Sequence, residues 1–295
     1  KPIRITSKNG PGATILRGHY VNGTKTAQRG VRILNLDCAD AIVENLTLAD
    51  ATMGTDPLYS SYSSTGCCAL ILDGTLRNCT VRGGSVFGYS GGIHLVNGLV
   101  TRCIITGNSA TAGHSTGCGI GMVGGTLEHS LIYGNTSAQA RTGTGVYVNG
   151  ASCIVRNCTI ARNSTKGTYG AGLHANNAKA QIIDCIAWDN TSPRGVENFA
   201  GSAAVTNLFD DGDPLFSDPD NGDFTLVDGS PCIDAAVGEP TTELDLAGNP
   251  RVTRVRMDIG CYEAPAFAGD TLEITGDKDN LGTVEPPYGN YEDIG

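Results

Sequence analysis

Tyr147, His174 and Glu197 come nearest to a catalytic set in this sequence. Aligned on short strands that open with glycine, the outward position reads Arg32, Leu70, His94, Gly121, Tyr147, His174 and Glu197. If those strands stack, neighbours along the column lie about 5 Å apart. Glu197 would then polarise His174, and Tyr147 would stack on a sugar or donate a proton. His94 would contact the same substrate. The step from His174 to Glu197 is 23 residues, shorter than the steps before it. The plainer reading of the column is a polar face of ordinary surface residues.

A second outward column reads Arg82, Thr106, Tyr133, Ala161 and Trp188. Tyr133 and Trp188 at such intervals suit stacking on sugar rings, although a tryptophan here could equally lie under a loop. The longest loops carry His114, Arg141 and Tyr169, in settings that suit adaptable contacts or bland solvated turns. An acidic stretch from Asp210 to Asp223 offers Asp218, Asp220 and Asp223 as candidate ligands for a structural calcium ion. The competing role for those aspartates is capping backbone amides in turns. No other cofactor is implied. The EF-hand spacing, the P-loop, H-E-x-x-H and the G-x-S-x-G elbow are all absent.

These columns exist only if the chain is a stack of repeats. Five segments align: TLRNCTVRGG, LVTRCIITGN, TLEHSLIYGN, CIVRNCTIARN and AQIIDCIAWDN. Their shared position holds Cys79, Cys103, Ser130, Cys158 and Cys185, at steps of 24, 27, 28 and 27 residues. Asn108, Asn135, Asn163 and Asn190 follow at 27, 28 and 27. Glycine-led strands start at Gly92, Gly119, Gly145 and Gly172. Within each repeat the apolar residues alternate with period two, the mark of strand. A single repeat of about three short strands leaves its apolar side bare, and stacking buries it. The expected fold is an all-β, right-handed parallel β-helix, a three-sheet solenoid. The cysteine column points inward, and the asparagine column bonds from coil to coil as an asparagine ladder.

Composition agrees. Glycine makes up 41 of 295 residues, as many tight turns require. The net charge of -10 disfavours nucleic acid, which needs a basic surface. No apolar run approaches the 18 residues or so of a membrane span. Eleven cysteines leave at least one unpaired in a monomer, and none has the C-x2-C zinc spacing. Buried free thiols are the default, with Cys232 and Cys261 the best candidates for a disulfide.

The stretch from Asp213 to Glu263 carries an ordered pattern: DP-x-F, DF-x-L, SP-C-I-D-A, D-x-x-G-x-x-R and DIG-x-Y-E. It falls on Asp213, Pro214, Phe216, Asp223, Phe224, Leu226, Ser230 to Ala235, Asp245, Gly248, Arg251, Asp258 to Gly260, Tyr262 and Glu263. This pattern resembles the C-terminal segment of secreted bacterial β-helix proteins of the choice-of-anchor Q type. The repeats before it resemble the pectin-lyase-like superfamily. The resemblance implies a secreted or cell-surface bacterial protein and supplies no catalytic set. Polygalacturonases of similar fold carry N-T-D, D-D and G-H-G motifs, and none of these lies on the repeats.

The expected organisation is β-helix coils over 1–209 and a capping segment over 210–264. Residues 265–295 would begin a further β-repeat domain or linker. Phe216, Phe224, Leu226, Ile233 and Ile259 would cover the last rung. The expected function is a non-catalytic, monomeric module that binds a polysaccharide or surface glycan, or serves adhesion. The alternative is a divergent polysaccharide lyase or glycoside hydrolase acting on acidic or plant-type polymers.

Overall fold

The computed structural model describes residues 3–18, 32–53, 65–86, 88–110, 116–138, 143–167, 170 and 172–266. Lys1–Ala264 form one compact unit and Pro265–Gly295 a second, most of which lies outside the described residues. The first unit is a parallel β-helix. The coils present four faces, one more than the expected three-sheet solenoid, because the short strands after the second corner form a row of their own. Each central coil contributes a strand to each face. On the first face Ile93–Leu95, Ile120–Met122, Val146–Val148 and Leu173–Ala175 pair in parallel. Leu99–Thr101, Thr126–Glu128 and Ile154–Arg156 build the second face. Ile104–Thr106, Leu131–Tyr133 and Thr159–Ala161 build the third. Gln181–Trp188 runs across both of these faces, and two-residue strands form the fourth as a seven-stranded sheet.

The corners explain the repeat. Between second and third faces stand Arg102, His129, Asn157 and Asp184, with φ of 50°, 46°, 47° and 50°. Between third and fourth stand Gly107, Gly134, Arg162 and Asp189, again left-handed. A left-handed residue turns the chain sharply, so a short strand fits between two such corners.

The residue after each corner points inward. Cys103, Ser130, Cys158 and Cys185 are wholly buried. Each closes its corner by donating to the carbonyl two residues back: Cys158 Sγ to Arg156 O at 3.2 Å, Ser130 Oγ to Glu128 O at 2.7 Å. That shared bond explains why serine substitutes for cysteine in the column.

Asn108, Asn135, Asn163 and Asn190 form the asparagine ladder, all 0% exposed. Asn135 donates from both N and Nδ2 to Asn163 Oδ1, at 3.0 and 2.9 Å. Asn163 does the same to Asn190 Oδ1 at 3.0 and 2.9 Å, and its Nδ2 also reaches Ile132 O at 3.0 Å. The glycines that open the first-face strands follow from this ladder. A Cβ on Gly145 would lie 2.7 Å from Asn163 Nδ2, and one on Gly172 would lie 2.7 Å from Asn190 Nδ2.

The capping segment does not cover the last rung. It lies along the third face instead. Phe216, Phe224, Leu226, Cys232, Ile259 and Cys261 pack on the outward side chains Leu131, Ala161 and Ile186, with Tyr133 and Trp188 at the margin. The positions under the cap are mostly apolar, with Thr159 among them, whereas earlier coils place Thr80, Ile104, Arg82 and Thr106 in the equivalent columns. Apolar area draws the cap to the flank, worth about 25 cal/mol per Å² buried. The last rung meets the cap only at its end, where Phe209 packs on it and Asn207 donates to Ala235 O, and Val205 is 42% exposed.

Two corner residues anchor the cap. Asp184, 0% exposed, accepts from Val237 N at 2.9 Å, Gly238 N at 2.9 Å and Asn207 Nδ2 at 2.6 Å. His129 Nε2 meets Thr241 Oγ1 at 2.8 Å. Inside the cap, Arg251 pairs with Glu263 Oε1 at 3.0 Å, and Asp258 Oδ2 takes Ala264 N at 2.6 Å. Asp245 Oδ2 takes Glu263 N at 3.0 Å. The D-x-x-G-x-x-R and DIG-x-Y-E patterns therefore meet in one buried hydrogen-bonded network around Arg251. All eleven cysteines are free thiols. The candidate Cys232–Cys261 pairing is not formed, as the default of free thiols expected, and burial pushes both thiols up to about 12.

Candidate functional site

Residues 188–189 at the end of the third face, 196–199 of the final turn and 210–212 leading into the cap enclose an open cleft of about 650 Å³. Trp188, Val196 and Phe199 supply its apolar wall. Asp189, Glu197, Asn198, Asp210 and Asp211 supply its polar groups. Every charged residue lining it is a carboxylate. Its size suits a small saccharide or the end of a larger chain.

Each lining group is positioned by the fold around it. Trp188 closes the strand that crosses from the second face to the third. Phe216 meets its ring edge-on, with centroids 5.5 Å apart, and the Arg162 guanidinium lies 5.4 Å from the ring centroid. Arg162 is itself held by Asp189 at 3.2 Å and Asp220 at 2.7 Å. Asn198 extends the ladder by accepting Asn190 N at 3.1 Å, and its Nδ2 donates to Asp210 O at 2.9 Å. Glu197 Oε2 accepts Gly170 N at 2.5 Å.

The proposed dyad is not assembled. His174 pairs in register with Ala200, so Glu197 precedes the rung it was expected to occupy. The cause is local. After Thr191–Ser192 the chain doubles back in antiparallel pairing with Gly195–Val196, and this hairpin replaces the loop of earlier coils. His174 Nδ1 has no hydrogen-bond partner, and burial alone lowers its pKa. With no carboxylate on its ring, His174 lacks the group that would make it a polarised base.

Tyr147 and His174 do sit on successive rungs, with ring centroids 5.9 Å apart and planes 30° from parallel. Burial raises the Tyr147 pKa. His94, on the same column, is 8% exposed and faces Ser90 Oγ at 3.3 Å. Burial and then Arg32 push its pKa down to about 4, so it is a neutral packing residue. Tyr133 falls on the expected column but is capped by Phe224, with centroids 5.2 Å apart. It does not form an open strip with Trp188. His114, Arg141 and Tyr169 lie outside the described residues.

The three aspartates named for calcium each have a local partner. Asp218 accepts Asn221 Nδ2 at 2.7 Å, Asp220 pairs with Arg162, and Asp223 caps Thr225 N at 3.0 Å. Among the described residues no group of three or more His, Cys, Asp or Glu side chains is arranged to hold a metal ion. No described helix is long and apolar enough to cross a membrane.

Sequence reasoning missed Asp189 and Asn198, and read Asp210 and Asp211 only as the start of an acidic stretch. The available signal was Asp189 directly after the single tryptophan, and an asparagine able to continue the ladder. No family model, no curated protein and no solved structure matches the chain.

Proposed function

We propose that this chain is a non-catalytic glycan-binding module of a secreted or cell-surface protein, with the Trp188 cleft as its binding site. Its lineage, on this reading, is the pectin-lyase-like β-helix with a choice-of-anchor Q type ending. The observation that carries the reading is the cleft itself, which joins one aromatic wall to a set of amide and carboxylate acceptors. Sugar rings present an apolar face to aromatic rings, and their vicinal hydroxyls donate to paired oxygen acceptors. The carboxylate lining and the net charge of -10 favour a neutral or amino-bearing glycan over a uronate or sulfated polymer. Two like charges 4 Å apart cost about 1 kcal/mol even in water, and more where solvent is excluded.

A hydrolase is the second reading, and the four carboxylates of the cleft favour it. Asp189 is committed to Arg162 and Glu197 to Gly170 N, which leaves Asp210 and Asp211 as its acid–base pair.

One incubation separates the two. The protein is run in gels containing neutral, amino-bearing and uronate polysaccharides, and new reducing ends are assayed in parallel. Retardation by neutral or amino-bearing polymers without chain cleavage supports the binding module. Cleavage that is lost in Asp210→Asn or Asp211→Asn replaces it with the hydrolase. Retardation confined to uronates contradicts the charge argument.

A further inference from the structure

The repeat that builds the ladder also writes a modification signal. Asn-x-Ser/Thr triplets occur at Asn45, Asn78, Asn135, Asn157, Asn163 and Asn190, and a seventh at Asn22 lies outside the described residues. The triplet is the acceptor for N-linked oligosaccharide, normally found on surface loops. Here it arises for a structural reason. The ladder asparagine is followed two residues later by a small hydroxyl residue of the fourth face: Ser137, Thr165 or Ser192.

The folded chain has no place for the modification at four of these triplets, whereas Asn45 and Asn78 are only half-buried. Asn135, Asn163 and Asn190 are 0% exposed, and Asn157 is 2% exposed. The Nδ2 of Asn163 is spent on Ile132 O and Asn190 Oδ1, and that of Asn190 on Ile160 O at 2.9 Å and Asn198 Oδ1 at 3.2 Å. The backbone of the first face presses on the same atoms, since even a methyl group on Gly119, Gly145 or Gly172 would come within 3.0 Å of them.

We infer that Asn135, Asn163 and Asn190 are N-glycosylation acceptors only in the unfolded chain, and that their modification and the native fold exclude each other. The chain therefore reaches its native state only by a route that attaches no N-linked oligosaccharide before folding. The chemistry is a transfer from a lipid-linked oligosaccharide pyrophosphate. The Nδ2–C1 bond forms, the C1–O bond to phosphate breaks, and one Nδ2 proton is lost. That product loses a ladder donor and carries a bulky polar group where the interior is close-packed.

The test expresses the same chain in a bacterial cytoplasm and through a yeast secretory pathway. Glycan occupancy is read by mass before and after peptide N-glycosidase treatment, and folding by protease resistance. Both this parent and a second chain carry Asn22→Gln, Asn45→Gly and Asn78→Gly, so that only the buried acceptors differ. The second chain also carries Ser137→Ala, Asn157→Gly, Thr165→Ala and Ser192→Ala, which removes those acceptors and keeps the ladder asparagines. Its cytoplasmic product, protease-resistant like the parent, shows that these changes preserve the fold. The expected result is a resistant cytoplasmic parent and a glycosylated, protease-sensitive secretory parent, with resistance regained by the second chain. A secretory parent that is resistant, with or without sugar on Asn135, Asn163 or Asn190, would overturn the inference. So would a second chain that is resistant from the cytoplasm but sensitive from the secretory route.

Discussion

Asn163 in the coils and Asp184 beneath the cap are both wholly buried polar side chains whose hydrogen bonds go to the chain itself. They stabilise in different ways. Asn163 is one member of a column, so each bond it makes is made again one coil above and one below. Asp184 is used once. Its two oxygens collect donors from residues far along the chain, Asn207, Val237 and Gly238. The coils are held by repetition of a local corner, the cap by a single junction of long-range contacts. A break should therefore spread through the coils and stay confined in the cap.

The largest effect is expected for Asn163→Ala. It strands the Asn135 N donor and the Ile132 carbonyl in a dry interior and removes one bond from Asn135 Nδ2, which keeps Ile105 O, at about 1–3 kcal/mol for each unsatisfied group. Urea denaturation should show a loss of about 4 kcal/mol or more, with coils and cap unfolding together. Asp184→Ala should cost somewhat less, about 3 kcal/mol, because three donors lose one acceptor. Limited proteolysis should then release the segment after residue 209 while the coils persist. If both variants unfolded as one unit, the distinction between the regions would fail.

A further effect is carried by protons, at the junction of cap and coils. Burial raises Glu263 from its ordinary value of 4.5 to about 9, only partly offset by Arg251. The native state therefore keeps a proton that the unfolded chain releases, and stability falls as pH rises from 4.5 toward 9. Burial, with Arg251, Arg156 and Arg102 nearby, lowers His129 from 6.5 to about 3. The unfolded chain protonates first, so stability also falls as pH drops from 6.5 toward 3. Thermal melts across pH should peak on the mildly acidic side. Glu263→Gln should flatten the alkaline limb and leave the acid limb in place.

The smallest effect is expected for Cys158→Ser. Ser130 already occupies this column and makes the same bond two residues back, so the change should cost about 1 kcal/mol or less by denaturation. A loss several times larger would mean that the thiols contribute packing that a hydroxyl does not replace.

The same contrast explains what could be read in the sequence. Cys79 to Cys185 and Asn108 to Asn190 gave the coils and their register, because corner chemistry is local and recurs. The first-face register failed at both ends: Asn35, not Arg32, pairs with Leu70, and Glu197 misses its rung where the hairpin from Thr191 to Val196 breaks the repeat. The cap's position was not legible. Tyr133 and Trp188 look alike as outward aromatics, and only tertiary packing decides that Phe224 covers one while the other borders a cleft. The cleft itself arises where the repeat ends, from residues that share no period.

Trp188 is the chain's single tryptophan, so its fluorescence reports on the proposed site directly. The decisive measurement is a titration with neutral, amino-bearing and uronic oligosaccharides, on the parent chain and on Asp210→Ala/Asp211→Ala. The account predicts a saturable change in emission with a neutral or amino-bearing oligosaccharide, absent with the uronate and weakened at least tenfold in the double variant. Emission that stays unchanged with every saccharide, or that responds equally to uronates, would contradict a glycan site at the Trp188 cleft.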